Sequence, residues 1–131
     1  MSATRVLLAD SNPAVLDAVT RMLEPEFDVI GTVRDGSSLV GEAERLKPDV
    51  MIVDLLMPGL SGFEAFRRLK KRHVPTAIIF LTVLSDLALA EEARAMGAMG
   101  YVLKPSADRE LLPAIRDARQ GCFFLSAGLR G

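Results

Sequence analysis

Asp10, Asp54, Thr82 and Lys104 each stand where a hydrophobic run ends. Asp10 follows Val6-Leu7-Leu8-Ala9, and Asp54 follows Val50-Met51-Ile52-Val53. Thr82 follows Ala77-Ile78-Ile79-Phe80-Leu81, and Lys104 follows Tyr101-Val102-Leu103. If the runs are strands of one open parallel sheet, their carboxyl ends share an edge, and ligands bind at that edge. Two carboxylates, a hydroxyl and an ammonium would then meet at one place, a combination that suits phosphoryl chemistry at an aspartate. Such chemistry needs the anionic donor's charge offset, cationic and hydrogen-bonding partners for the transferring oxygens, and an aligned attacking oxygen. Mg²⁺ held between carboxylates and phosphoryl oxygens meets the first need. Lys104 can add positive charge and Thr82 a hydrogen bond. Asp54 suits the acceptor role, because the loop behind it can offer the Leu56 backbone carbonyl to the metal. Asp10 would lie on the neighbouring strand.

The elements that must position these residues alternate between short apolar runs and amphipathic stretches. Arg5 to Ala9 reads as a buried strand. Asn12-Pro13 is a helix start, and Val15, Leu16, Val19, Met22 and Leu23 form one apolar face before Pro25 stops the helix. Phe27 to Val33 is a second strand, and Asp35 caps a helix running to Leu46. Ser61 and Glu64 make a capping box for a third helix. Its basic stretch Arg67-Arg68, Lys70-Lys71-Arg72 reads as a solvated outer face. Thr76 to Leu81 is the fourth strand, Asp86 to Met96 the fourth helix with Gly97 as its cap, and Met99 to Leu103 the fifth strand. Ser106 is expected to cap a last helix reaching Gln120. Pro113 lies inside that last pattern, where it removes a donor, so a kink or a late start is expected. Strands separated by helices of this length must pair in parallel through right-handed crossovers. The expected fold is a three-layer α/β sandwich, a five-stranded parallel sheet with five helices.

Bulk properties bound the function. The chain has 131 residues, half of them hydrophobic, and a net charge of -1. That is one domain's worth of core without metals or disulfides. No basic stripe marks a nucleic-acid surface, and no apolar stretch approaches the ~20 residues of a membrane span. One cysteine, Cys122, forms no internal disulfide; it reads as a small buried hydrophobe and fits a reducing cytoplasm. The only histidine, His73, reads as a surface residue.

At this point the chain resembles a known family. Pro48-Asp49-Val50-Met51-Ile52-Val53-Asp54-Leu55-Leu56-Met57-Pro58-Gly59 is similar to the phosphoacceptor segment of bacterial response-regulator receiver domains. Val6-Leu7-Leu8-Ala9-Asp10, Leu81-Thr82 and Gly100-Tyr101-Val102-Leu103-Lys104-Pro105 match the family's other motifs in order. The resemblance implies a flavodoxin-like receiver fold and phosphorylation of Asp54 by a sensor histidine kinase. It implies Mg²⁺ at Asp10, Asp54 and the Leu56 carbonyl, and Lys104 on the phosphoryl group. Thr82 and Tyr101 would form the switch, and the Lys104-Pro105 bond would be cis. Gln120-Gly121-Cys122-Phe123-Phe124-Leu125-Ser126-Ala127 resembles the join to a helix-turn-helix domain in the NarL/LuxR-type subfamily. Residues 1–121 are thus expected to be the receiver, with 122–131 beginning a linker. The subfamily resemblance implies a homodimeric, cytoplasmic transcription regulator that contacts DNA only through a further C-terminal domain and has no membrane partner.

One position departs from the family. Two acidic residues normally follow the first strand, the second a direct Mg²⁺ ligand, and here the pair is Asp10-Ser11. A neutral hydroxyl is a poorer ligand for a hard dication, so Mg²⁺ affinity should fall. Two readings therefore stay open: a working phosphoacceptor, and a phosphate-independent module acting through dimerisation or protein contacts. Catalysis on the same architecture is disfavoured. Haloacid-type phosphatases resemble Asp-x-Asp, and here Leu56 occupies the second position. A flavodoxin-like cofactor binder needs a hydroxyl- and Gly-rich phosphate cradle after the first strand, where Asp10-Ser11-Asn12-Pro13 offers a repelling carboxylate and no glycine.

Overall fold

Strands that are apolar on both sides need cover on both faces, and that requirement sets the architecture. The computed structural model describes residues 3–130. Its strands are β1 (Arg5–Ala9), β2 (Asp28–Val33), β3 (Val50–Val53), β4 (Ala77–Thr82), β5 (Gly100–Leu103) and β6 (Phe124–Leu125). The helices are α1 (Pro13–Leu23), α2 (Gly36–Leu46), α3 (Gly62–Lys71), α4 (Leu87–Ala95) and α5 (Ala107–Arg119). The sheet runs β2-β1-β3-β4-β5-β6 with every neighbouring pair parallel. The strand order doubles back at β1, so helices are laid on both faces.

Period-two alternation along the strands builds two separate apolar layers. Leu7, Met51, Val53, Ile78, Phe80 and Tyr101 pack with Leu39, Val40, Phe66, Leu69, Ala90 and Ala93 of α2, α3 and α4. Val6, Leu8, Val50, Ile52, Ile79, Leu81 and Val102 pack with Leu16, Val19, Leu23, Leu111 and Ile115 of α1 and α5. Each fully buried Val, Leu, Ile or Phe side chain contributes about 1.5–3 kcal/mol.

Local signals fix most helix starts where the sequence places them. Asn12 accepts from the Ala14 amide at α1, Asp35 from Ser38 at α2, and Asp86 from Ala88 and Leu89 at α4. The capping box of Ser61 and Glu64 opens α3, and Gly97, at φ 101°, follows the end of α4. The basic residues of α3 are exposed, as is His73.

Several expectations need correction. The sheet has six strands, because Phe124–Leu125 adds to β5 with Tyr101 opposite Leu125. Ser106 makes no side-chain cap; a 3-10 turn over Lys104–Ser106 feeds directly into α5. The late start expected from Pro113 is absent, since α5 begins at Ala107 and continues through Pro113. A proline inside a helix costs ~3 kcal/mol, which burial of Leu111, Ala114, Ile115 and Ala118 on the same helix outweighs. Cys122 is exposed rather than buried, because it follows the turn at Gly121, where φ is 79°. Among the described residues no helix is long and apolar enough to cross a membrane.

Candidate functional site

Register brings the two carboxylates side by side. β1 and β3 pair Ala9 with Val53, and the Asp54 amide donates to the Ala9 carbonyl at 3.0 Å. Asp10 and Asp54 therefore leave adjacent strands at the same level. Lys104 reaches them from the end of β5: its Nζ lies 2.7 Å from Asp10 Oδ2 and 3.0 Å from Asp54 Oδ2. Both carboxylates are about 5% exposed or less. Each uses its other oxygen locally. Asp10 Oδ1 accepts from the Asn12 amide at 2.9 Å, and Asp54 Oδ1 from the Leu56 amide at 3.2 Å. These short loops turn each carboxylate so that one oxygen faces the ammonium.

The electrostatics are those of a crowded, partly dry site. Burial pushes the Asp54 carboxyl above the ordinary aspartate range, against the opposing pull of the Leu56 amide and Lys104. Burial also pulls Lys104 down, but its bonds to Asp10 and Asp54 outweigh that and leave it above the usual lysine range. The ammonium therefore stays charged throughout the neutral range. Asp10 Oδ2 is buried and has no well-aligned hydrogen-bond donor, although the ammonium is within ion-pairing distance. Its free lone pair is what a hard cation would use. The donor set suits Mg²⁺, which binds through one or two carboxylates and keeps several waters. It is a sparse set: among the described residues no cluster of three or more His, Cys, Asp or Glu side chains could hold a metal. Ser11 supplies no third carboxylate, and its carbonyl accepts from Arg34 Nη2 at 3.3 Å.

Thr82 and Tyr101 converge on one residue, Leu84, from the two sides of its backbone. Thr82 is fully buried and its Oγ1 accepts from the Leu84 amide at 3.2 Å. The Tyr101 hydroxyl donates to the Leu84 carbonyl at 2.7 Å. Tyr101 is fully buried, and burial pushes its pKa up to about 12. The β4–α4 loop is thus pinned from both sides at Leu84. The expected cis bond at Lys104-Pro105 is absent, as no peptide bond among the described residues is cis. Trans is the lower-energy form of an X-Pro bond by about 0.5–1 kcal/mol, and the 3-10 turn there accommodates it.

Gly62 sets how closely α3 approaches the loop that follows Asp54. A Cβ at Gly62 would lie 2.6 Å from the Asp54 carbonyl oxygen and 3.0 Å from Leu55 Cα. Only a residue without a side chain lets the helix start sit against the backbone that carries Asp54. The sequence showed this glycine only as part of a capping box.

Residues 6–116 match the model of the response regulator receiver domain. The chain belongs to that family. The transcriptional regulatory protein LiaR of Bacillus subtilis is 38% identical over 119 residues, which cover 89% of this chain and 56% of LiaR. A two-component response regulator of the LuxR family from Aurantimonas sp. superposes with a TM-score of 0.91 at 30% identity, over 98% of this receiver and 93% of that chain. The isolated receiver domain of RcsB from Salmonella enterica serovar Typhimurium, in the presence of phosphomimetic BeF3-, gives 0.89 at 27% identity, over 98% of this chain and 96% of that one. The receiver described here spans little more than half the length of its curated relatives.

Proposed function

We propose that this receiver is the phosphorylation-controlled switch of a two-component transcription regulator, with Asp54 as acceptor and a histidine kinase as donor. The observation that carries the reading is the triad in which Lys104 bridges Asp10 and Asp54 at 2.7 and 3.0 Å. In the transfer, a carboxylate oxygen of Asp54 forms the O–P bond while the P–N bond to the donor histidine breaks, and the electron pair stays on the imidazole. Mg²⁺, when bound, offsets the charge of the phosphoryl oxygens. Asp10, Asp54 and the Leu56 carbonyl are the groups that would hold it, with Ser11 a weak ligand or none. Lys104 pairs with the phosphoryl group once Asp54 carries it as an acyl phosphate. The Thr82 hydroxyl, already accepting from the Leu84 amide, keeps its proton free to donate to a phosphoryl oxygen. A shift of Thr82 is then felt at Leu84 and so at Tyr101, which is how phosphorylation would reach the outer face.

The relatives' names support the transcriptional part of the reading. DNA contact would fall to a segment beyond residues 122–131, and a homodimer would bring two such segments together. The test is intact mass after incubation with acetyl phosphate across a Mg²⁺ titration, with Asp54→Asn and Ser11→Asp alongside. One phosphoryl adduct on the wild type, none on Asp54→Asn, and a lower Mg²⁺ midpoint for Ser11→Asp are expected. One added close carboxylate should lower that midpoint by about tenfold or more. A wild type that takes no phosphoryl group from any donor, with an output unchanged by Asp54→Asn, would establish the phosphate-independent module instead.

A further inference from the structure

Glu110 is a buried carboxylate that the acceptor site does not use. It sits on α5 within the apolar stripe of Ala107, Leu111, Ala114, Ile115 and Ala118, and is 8% exposed. Both of its oxygens face the C-terminal segment. Oε1 accepts from the Ser126 hydroxyl, and Oε2 from the Ala127 amide at 2.8 Å. Ser126 is itself fully buried. Its Oγ accepts from the Leu103 amide at 3.3 Å, and its own amide donates to the Tyr101 carbonyl at 2.9 Å.

These bonds have a direction. A serine hydroxyl has one proton, and here it goes to Glu110, so the lone pairs are left for the Leu103 amide. The path runs from α5 through Ser126 to the residue immediately before Lys104. Apolar contacts of Phe124 and Leu129 would suffice to hold a passive tail on the sheet edge. They give no reason to bury a carboxylate in an apolar stripe, which is unfavourable unless its bonds are all made. Lys104 also has a long, flexible stem. Holding its ammonium within 3.0 Å of two carboxylates requires a fixed backbone at its base.

We propose that Glu110 and Ser126 are positioning residues for Lys104: they clamp the end of β5, and through them the segment 122–130 senses the state of the Asp10–Lys104–Asp54 triad. This goes beyond the phosphorylation reading and does not depend on it, because the coupling is a property of the folded chain. Coupling between two sites is reciprocal. Disturbing Ser126 must loosen the base of Lys104, and disturbing Lys104 must loosen the segment.

Backbone amide hydrogen exchange on the 131-residue chain tests both directions, with Ser126→Ala, Glu110→Gln, Glu110→Ala and Lys104→Met. Ser126→Ala leaves the Leu103 amide without its acceptor, so exchange at Leu103 and Lys104 should rise about tenfold or more. Lys104→Met should raise exchange at Ser126 and Ala127 by a similar factor while β2 and α2 stay unchanged. Glu110→Gln, which keeps an acceptor oxygen, should lie closer to wild type than Glu110→Ala. If the Ser126 variant unfolds globally, Lys104→Met decides alone. Wild-type rates at Ser126 and Ala127 in Lys104→Met would overturn the proposal, as would a Ser126→Ala effect confined to residues 122–130. A failure of Asp54 to accept phosphate leaves these rates untouched, so the two readings fail separately.

Discussion

Tyr101 gives the sharpest test of how the β4–α4 loop is anchored. The chain has one tyrosine and no tryptophan, so the near-ultraviolet absorbance of tyrosinate reports on this residue alone. Its ring is fully buried and its hydroxyl donates to the Leu84 carbonyl at 2.7 Å. Burial, with a smaller contribution from the Asp86 carboxylate, pushes its pKa from 10.0 to about 12. At pH 11 an unperturbed tyrosine is about nine-tenths ionised, whereas Tyr101 should be about one-tenth ionised. Because the folded value is the higher one, Tyr101 contributes stability that is fully present below pH 10 and is lost as pH rises through about 12. Tyr101→Phe should lack that part of the alkaline loss. The variant leaves the Leu84 carbonyl without its donor and should cost about 1 kcal/mol at neutral pH. A spectrophotometric titration with a folded-state check at each pH measures the midpoint, and chemical denaturation of both proteins measures the stability. A midpoint near 10 in the folded protein would refute the reasoning. It would mean that the hydroxyl is hydrated, and that Thr82 and Tyr101 are not joined through Leu84.

Two further outcomes follow from the loop after Asp54. Gly62→Ala places a methyl 2.6 Å from the Asp54 carbonyl oxygen and 3.0 Å from Leu55 Cα. Both are backbone atoms that cannot swing aside, so thermal or chemical unfolding should show a loss of about 1–3 kcal/mol; wild-type stability would show that α3 does not press on the loop. Asp54→Asn should be more stable than wild type at pH 7, because burial raises the Asp54 pKa above the ordinary aspartate value of 3.8. A raised carboxyl favours the fold below 3.8 and loses that contribution as pH rises through its folded value, so the advantage of the variant should shrink on acidification. Denaturant midpoints across pH 3–8 measure it, and a less stable variant at pH 7 would contradict the assigned cause.

What the sequence determined by itself were the features whose causes are local. Asn12-Pro13, Asp35, Ser61 with Glu64, and Asp86 start helices because a side-chain oxygen meets an amide two or three residues on. The apolar runs before Asp10, Asp54, Thr82 and Lys104 require strands buried on both faces, and the lengths between them require parallel crossovers. That was enough to place all four residues on one edge.

The tertiary structure decided what depends on partners distant in the chain. The β1–β3 register sets Asp10 level with Asp54, and only the assembled triad shows Lys104 bridging both. Phe124–Leu125 reads as the start of a linker because a two-residue strand has no periodicity; it becomes β6 only where β5 offers an open edge. Pro113 looks like a helix boundary until the sheet buries the side chains around it. Glu110 in an apolar stripe was a visible signal, but its partners, Ser126 and Ala127, lie at the far end of the chain. Backbone propensity acts between near neighbours and can be read in order. Desolvation, ion pairing and edge pairing act between residues that only the fold brings together.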